Sequence, residues 1–124
     1  MYTEKVMDHF TNPRNVGELP NADGIGKIGD SKNEITIFMY IKVRDNIIVD
    51  IKFKTFGCAA SIATSSITTE LAKGKTIDQA INLSRDDIIQ TLDGLPNNKM
   101  HCSDVALRAL NEAIKDYKSN INPK

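Results

Sequence analysis

The amino-acid sequence predicts an α+β fold, with a small antiparallel three-stranded sheet packed against an N-terminal helix and several C-terminal helices. Two neighbouring segments, residues 35–43 and Ile47–Phe56, carry apolar side chains at every second position, which is the pattern of paired strands. Residues 105–117 instead repeat apolar side chains at the spacing of one helix face. Because the strand and helix patterns occupy separate parts of the chain, strands and helices are not expected to alternate.

Length and composition indicate one folded domain over residues 1–124. Apolar residues make up 40% and charged residues 26% of the chain, an ordinary balance for a globular protein. Sixteen basic residues balance sixteen acidic ones, which argues against non-specific binding to nucleic acid. The start of the sequence has no hydrophobic signal core, and no apolar run is long enough for a transmembrane helix. We therefore expect a soluble, cytoplasmic protein without a nucleic-acid or membrane partner.

The sequence begins with a predicted helix, in which Thr3 is a candidate N-cap and Pro13 prevents continuation. Its apolar residues at helical spacing are Tyr2, Val6 and Phe10. The glycine-rich stretch 15–31 is expected to be a loop that contains one short strand around residues 25–28.

The two alternating segments form a predicted hairpin, joined by a tight turn at residues 44–46. Each strand is expected to bury one face. The buried face of the first strand is predicted to contain Ile35, Ile37, Met39, Ile41 and Val43. The buried face of the second strand is predicted to contain Ile47, Val49, Ile51, Phe53 and Thr55.

Helical patterns fill the second half of the chain. A helix is predicted from just after Cys58 to a stop at residues 73–74. Its apolar stripe is Ala59, Ile62, Ala63, Ile67 and Leu71. Two short helices are then predicted where a hydroxyl residue is followed, three positions later, by a side chain that can bond back to the cap. These pairs are Thr76 with Gln79 and Ser84 with Asp87.

A turn at residues 93–96 precedes the last predicted helix. This helix is expected to begin after Cys102 with Ser103 as its cap, and to give way to a polar tail from Lys118.

Cys58 and Cys102 are the two cysteines of the chain, and a pair in a cytosolic protein is expected to be reduced. Each precedes the first turn of a predicted helix, where backbone N–H groups and the helix dipole favour an anion. That setting is expected to lower the pKa of both thiols. His101 adds a second metal-binding side chain next to Cys102.

These residues alone leave two interpretations open: a metal or sulfur site, or cysteines that are inert and buried in the core. His9 is expected to be a partly exposed structural histidine. The glycine-rich stretch 17–29 does not match a phosphate-binding loop, because no Lys-Ser/Thr pair opens a helix after it. The sequence contains no Ser/His/Asp arrangement, and we expect a protein that is not an enzyme.

Four stretches together resemble the scaffold proteins of iron–sulfur cluster assembly, the IscU family and the related N-terminal domain of NifU. The resemblance extends over nearly the whole chain without a large gap. The matching stretches are residues 2–17, residues 51–66 with Gly57-Cys58, residues 73–76, and residues 99–103 with His101-Cys102.

The resemblance implies a protein that receives sulfur from a cysteine desulfurase, assembles a labile iron–sulfur cluster and passes it to apo-protein acceptors. It implies that Cys58 and Cys102 stand where two cluster cysteines stand, and that His101 stands where the family has a histidine able to bind metal. Apart from the resemblance, the ligand chemistry makes zinc a candidate metal when the cluster is absent. A homodimer is a candidate assembly.

The chain departs from the family pattern at the start of the first long strand, where the family has a Cys-Gly-Asp segment. Without gaps, Asn33 takes the place of the cysteine and Ile35 that of the aspartate, an auxiliary ligand. A one-residue shift would bring Glu34 to the aspartate but would turn the apolar face of the strand outward, so the ungapped alignment is preferred. The fourth ligand would then be solvent, Glu34, a partner or a second copy of the chain.

A second departure lies in residues 95–99, where the family often carries a Leu-Pro-Pro-Val-Lys segment recognised by a specialised Hsp70-type chaperone. Here Asn97 replaces the second proline, which weakens the extended preorganisation that such recognition uses.

The leading interpretation is an iron–sulfur scaffold protein. The alternatives are a degenerate scaffold relative that binds a desulfurase as a regulator without building clusters, and a protein that binds zinc through Cys58, His101 and Cys102.

Overall fold

The structure is a computed structural model, and it describes residues 2–121. Its sheet has three antiparallel strands in the order β1-β2-β3, which confirms the predicted α+β fold. The strands are β1 (Gly24–Asp30), β2 (Ile35–Arg44) and β3 (Ile47–Phe56). The helices are α1 (Glu4–Thr11), α2 (Ala59–Ala72), α3 (Ile77–Ile81), α4 (Arg85–Thr91) and α5 (His101–Ile121), with a 3₁₀ turn at Asn97–Lys99.

Strand β1 is longer than the short strand predicted around residues 25–28 because it lies directly beneath α5. At Gly24 and Gly26, a Cβ atom would overlap the backbone carbonyl oxygens of Ala113 and Ala109, respectively. Glycine at these two positions therefore lets the helix backbone rest on the strand. This packing joins α5 to the edge of the sheet.

The hairpin of β2 and β3 contains a bulge that changes the predicted buried face. Lys42 pairs with Asp50 but Val43 pairs with Ile48, so Val49 is an extra residue in β3. The prediction that Ile47 and Val49 lie on the buried face is wrong: they are 36% and 44% exposed, whereas Ile48 is fully buried. The bulge shifts the strand by one residue, and beyond it Ile51 and Phe53 point inward as predicted.

Helix α2 ends as predicted at Lys73 and Gly74, but its apolar stripe does not describe its packing. Ile62 and Leu71 are only partly buried, whereas a series of hydroxyl residues is fully buried. Helices α1, α4 and α5 and strand β3 surround α2, so most of its sides face protein. Its buried threonine hydroxyls bond within the helix: Thr64 Oγ1, for example, donates to the Ala60 carbonyl at 2.8 Å.

The remaining helix starts follow the predicted caps. Thr3 caps α1 by accepting the Val6 N–H at 3.1 Å. Thr76 and Ser84 each form the complete capping box, with Gln79 and Asp87 respectively bonding back. Of the residues predicted to form the apolar face of α1, Val6 is fully buried but Phe10 is 36% exposed.

Helix α5 begins three residues earlier than the predicted Ser103 cap implies. His101 is its first residue, so Cys102 lies within the first turn rather than before it. Ser103 does not act as the predicted N-cap, because its hydroxyl donates to the Met100 carbonyl at 2.6 Å. The helix also continues through Lys118 to Ile121, and the part of the predicted polar tail at residues 122–124 lies outside the described residues.

Across residues 2–121, the structure contains no helix with the length and apolar character needed to cross a bilayer.

His9 fixes α1 to α2, in agreement with its predicted structural role. Its Nδ1 lies 2.8 Å from the Ser66 hydroxyl oxygen, which also accepts the Arg14 N–H at 2.9 Å. Burial lowers the pKa of His9, and the nearby Arg14 charge lowers it further. The neutral imidazole is therefore the form that suits the folded protein.

We expect replacement of Gly26 by alanine to destabilise the fold by about 3 kcal/mol, because the new Cβ must push β1 and α5 apart. Gly29→Ala in the same strand is the matched control. Its Cβ would meet only the Thr36 hydroxyl, at 3.9 Å, and we expect a change within about 0.5 kcal/mol. Denaturant unfolding of the two variants tests this difference, and equal stabilities would contradict the packing described above.

We also expect stability to fall as the pH drops through 6.5, the ordinary histidine pKa, because the unfolded chain then binds a proton that folded His9 resists. The His9→Asn variant should lose less stability over the same pH interval. Thermal unfolding of both proteins above and below pH 6.5 measures the difference, and parallel pH profiles would exclude His9 as the cause.

Candidate functional site

The predicted site residues meet at one end of the sheet, where β1 and β3 end and β2 begins. Cys58 follows β3 directly and occupies the N-cap position of α2. The residue before it, Gly57, has no room for a side chain, since a Cβ atom there would lie 2.7 Å from Ser61 Oγ and 3.4 Å from Ile35 Cγ1. His101 and Cys102 begin α5 at the same end.

Cys58 is half-buried and carries the more acidic of the two thiols. Burial is the largest single effect and opposes its ionisation, but the favourable contributions together outweigh burial and lower its pKa. They come from the backbone N–H groups of Ser61 and Ala60 at the start of α2, from the ammonium of Lys99, whose Nζ lies 3.9 Å from Cys58 Sγ, and from Cys102. The predicted thiolate-stabilising setting is therefore confirmed at Cys58.

The same prediction is wrong for Cys102. Its side chain is fully buried, and burial followed by the charge of Cys58 raises its pKa to about 12. The cause is the earlier start of α5, which places Cys102 inside the helix and against the core instead of before the first turn. Cys102 is therefore a neutral thiol at physiological pH.

His101 is half-buried next to Cys102, and its Nε2 lies 3.7 Å from Cys102 Sγ. The structure thus brings the three predicted metal-binding residues into one neighbourhood. Within residues 2–121, no three His, Cys, Asp or Glu side chains stand close enough together to hold a metal ion as they are.

The turn between β1 and β2 supports the ungapped alignment of Asn33, Glu34 and Ile35. Glu34 has φ of +56°, a conformation that favours glycine, and it stands at the glycine of the Cys-Gly-Asp segment in that alignment. Ile35 is buried at the start of β2. Asn33 is exposed, and its Nδ2 donates to Asp30 Oδ2 at 2.8 Å.

Lys99 is a neighbour of Cys58 that the sequence did not identify. Lys99 belongs to the 3₁₀ turn, and this turn follows Leu95, which is buried against the core. The only signal in the sequence was that Lys99 lies in the stretch 99–103 with His101 and Cys102, since its contact with Cys58 joins distant parts of the chain.

Comparison with known protein families and structures agrees with this geometry. The family model described as the NifU-like N terminal domain matches residues 1–123. The chain is 57% identical over 117 residues to the iron-sulfur cluster assembly scaffold protein IscU 1 of Archaeoglobus fulgidus, covering 94% of this chain and 76% of that protein. It is 46% identical over 127 residues to the scaffold protein IscU of Escherichia coli K12, covering 99% and 98%.

The fold has a counterpart among solved structures. The crystal structure of a nitrogen-fixing NifU-like protein (N-terminal) from Brucella abortus superimposes with a TM-score of 0.75. The match covers 94% of each chain at 18% sequence identity, so it supports the fold alone.

We expect Lys99→Met to raise the pKa of Cys58, because the thiolate loses a neighbouring positive charge. Alkylation with iodoacetamide should then be slower near neutral pH, and its pH profile should shift to higher pH. Cys102 should contribute little, since it is buried with a pKa of about 12. Mass spectrometry of the modified peptides assigns the reaction to each thiol.

Lys118→Met is the control, since it removes the same charge from an exposed position near the far end of α5. An alkylation profile that shifts equally in both variants would indicate a general charge effect rather than the contact with Cys58.

Proposed function

Because the chain belongs to the NifU-like N-terminal domain family, we propose that it is a scaffold on which iron–sulfur clusters are assembled before transfer to other proteins. The observation that carries this proposal is the meeting of Cys58, His101 and Cys102 beside Lys99 at one end of the sheet. Relatives named as iron-sulfur cluster assembly scaffold proteins, at 57% and 46% identity, support it.

The donor atoms of the site suit this cargo. Two cysteine sulfurs and one imidazole nitrogen are soft to intermediate ligands, which bind iron and iron–sulfur clusters well. Cys58 and His101 are only half-buried, so one side of the site is open to solvent. A cluster held there can be reached by an acceptor protein, as a scaffold requires.

Cys58 is the residue that we propose to accept sulfur. Its lowered pKa and partial exposure make it the available nucleophile, whereas Cys102 is buried and protonated. The Cys58 thiolate attacks the terminal sulfur of a persulfide carried by a cysteine desulfurase. A sulfur–sulfur bond forms at Cys58 as the bond within the donor persulfide breaks, and the donor cysteine leaves as a thiolate.

Cys102 has a later role in this proposal. A thiol with a pKa of about 12 must lose its proton when it binds a metal, so binding at Cys102 releases a proton. Metal entry therefore turns Cys102 from a neutral core residue into a ligand, after sulfur has reached Cys58.

Residues 95–99, which precede His101 and Cys102, are the segment that an Hsp70-type chaperone would bind. Leu95 is buried among core residues, and Asn97–Lys99 form a 3₁₀ turn rather than an extended peptide. An Hsp70-type chaperone that binds extended peptides would have to unwind this turn, which moves Lys99 away from Cys58. We propose that such binding would loosen the site and favour release of its cargo.

Anaerobic reconstitution with iron, cysteine and a cysteine desulfurase tests the proposed function. We expect the wild-type protein to take up iron and acid-labile sulfide in matching amounts, and Cys58→Ala to lose most of both. Ser65→Ala on the same helix is the control, because its buried hydroxyl has no hydrogen-bond partner and its loss should leave assembly unchanged. Zinc alone, or no metal, in the wild-type protein would contradict the scaffold function.

A further inference from the structure

Asp30 is the last residue of β1 and lies on the strand face that packs against α5. Alternate residues of β1 face opposite sides of the sheet, and the buried Gly24 and Gly26 mark the side toward the helix. Asp30 is on that same side, and it is partly buried, whereas Ile25 and Lys27 are exposed.

The packing of β1 on α5 brings Asp30 level with the start of the helix. The two elements run in opposite directions: Gly24 meets Ala113 and Tyr117, while Gly26, further along the strand, meets Ala109. From Gly26 to Asp30 the strand advances about 13 Å, at about 3.3 Å per residue. A helix rises 1.5 Å per residue and therefore spans this distance in about nine residues. Counted toward the N-terminus from Ala109–Ala113, where Gly26 makes its contact, nine residues lead to the first turn of α5.

The electrostatics agree with this placement. Cys102, whose pKa is raised mainly by burial and by Cys58, is also affected by the negative charge of Asp30. The pKa of Asp30 is lowered first by its hydrogen bond from Asn33 and also by the charge of His101. These minor charge effects are consistent with a position of Asp30 near the first turn of α5.

Two other carboxylates near the site are less suited to join it. Asp104 is held by Arg85, whose Nε donates to Asp104 Oδ1 at 2.9 Å while Nη2 pairs with Oδ2. Glu34 is exposed in the turn beside the buried Ile35. Asp30 is instead oriented by Asn33, through the 2.8 Å bond to Oδ2.

We propose that Asp30 supplies an oxygen ligand to a divalent metal ion held by Cys58, His101 and Cys102, and so completes a set of four donors. Two sulfurs, one nitrogen and one carboxylate oxygen form a set that Fe²⁺ and Zn²⁺ both accept. Because these side chains do not stand close enough together to hold an ion as they are, they would have to converge on the metal. This inference rests on the proposed function, because it assigns a further ligand to the same site.

Binding of Co²⁺ to the whole chain tests the role of Asp30, with Zn²⁺ affinity measured by competition. Co²⁺ reports its ligands through visible ligand-field bands and through thiolate-to-metal charge-transfer bands. We expect Asp30→Asn to weaken binding about tenfold or more and to change the ligand-field bands. Glu34→Gln and Asp45→Asn are the controls, because each removes one exposed carboxylate. Glu34 lies in the turn between β1 and β2, next to Asp30, and Asp45 lies in the turn between β2 and β3, at the other end of the sheet. Both should bind within about twofold of wild type.

Asp30→Cys provides a gain of signal that a merely structural role would not produce. A thiol at this position should restore binding and raise the thiolate-to-cobalt charge-transfer absorbance above that of wild type, provided that thermal unfolding shows a folded variant. Unchanged affinity in Asp30→Asn, or a folded Asp30→Cys without the added absorbance, would overturn the proposal. These results are independent of cluster assembly, so a wild-type protein that binds Co²⁺ as described but forms no iron–sulfur cluster would refute only the scaffold function.

Discussion

The contact between the backbones of α5 and β1 is the constraint on which the site depends. Gly24 and Gly26 allow the helix to rest on the strand, and this fixes how far α5 reaches along the sheet. Its first turn therefore lies at the sheet end where β3 leads into α2. Cys58 and Cys102, far apart in the sequence, meet because two independent chain segments are fixed to the same end of one sheet. A shift of α5 along β1 would separate them.

This arrangement makes the two thiols chemically different. Cys58 lies at the end of a helix, where backbone N–H groups and Lys99 outweigh the effect of burial, and its pKa is lowered. Cys102 lies within a helix and against the core, where burial and the neighbouring charge raise its pKa to about 12. In the function we propose, this physical difference gives an order to the chemistry: sulfur reacts with the thiolate that is already formed, whereas the second thiol needs a metal to displace its proton.

The features that the sequence predicted correctly depend on local interactions. The capping boxes at Thr76 and Ser84 and the alternation of β2 involve residues close in the sequence. The bulge at Val49, the hydroxyl-rich burial of α2 and the start of α5 at His101 depend on what packs against each element. The neighbourhood of Cys58, His101 and Cys102 was inferred from resemblance rather than from spacing. The roles of Lys99 and Asp30 require the packing of separate elements, which no local pattern contains.

The two departures from the family's Cys-Gly-Asp segment, Asn33 and Ile35, lie at the same end of the sheet, next to Asp30. Ile35, where the family alignment has an aspartate, is the cross-strand partner of Asp30, so a carboxylate lies on the adjacent strand at the same level. Asn33, where the alignment has a cysteine, orients that carboxylate. With Asp30 as the fourth donor, an oxygen ligand would remain at the level of the family's aspartate, while the sulfur of the missing cysteine would have no replacement. Such a set binds iron less tightly than three thiolates would. In the proposed scaffold function, in which the cluster is passed to other proteins, weaker retention would favour release.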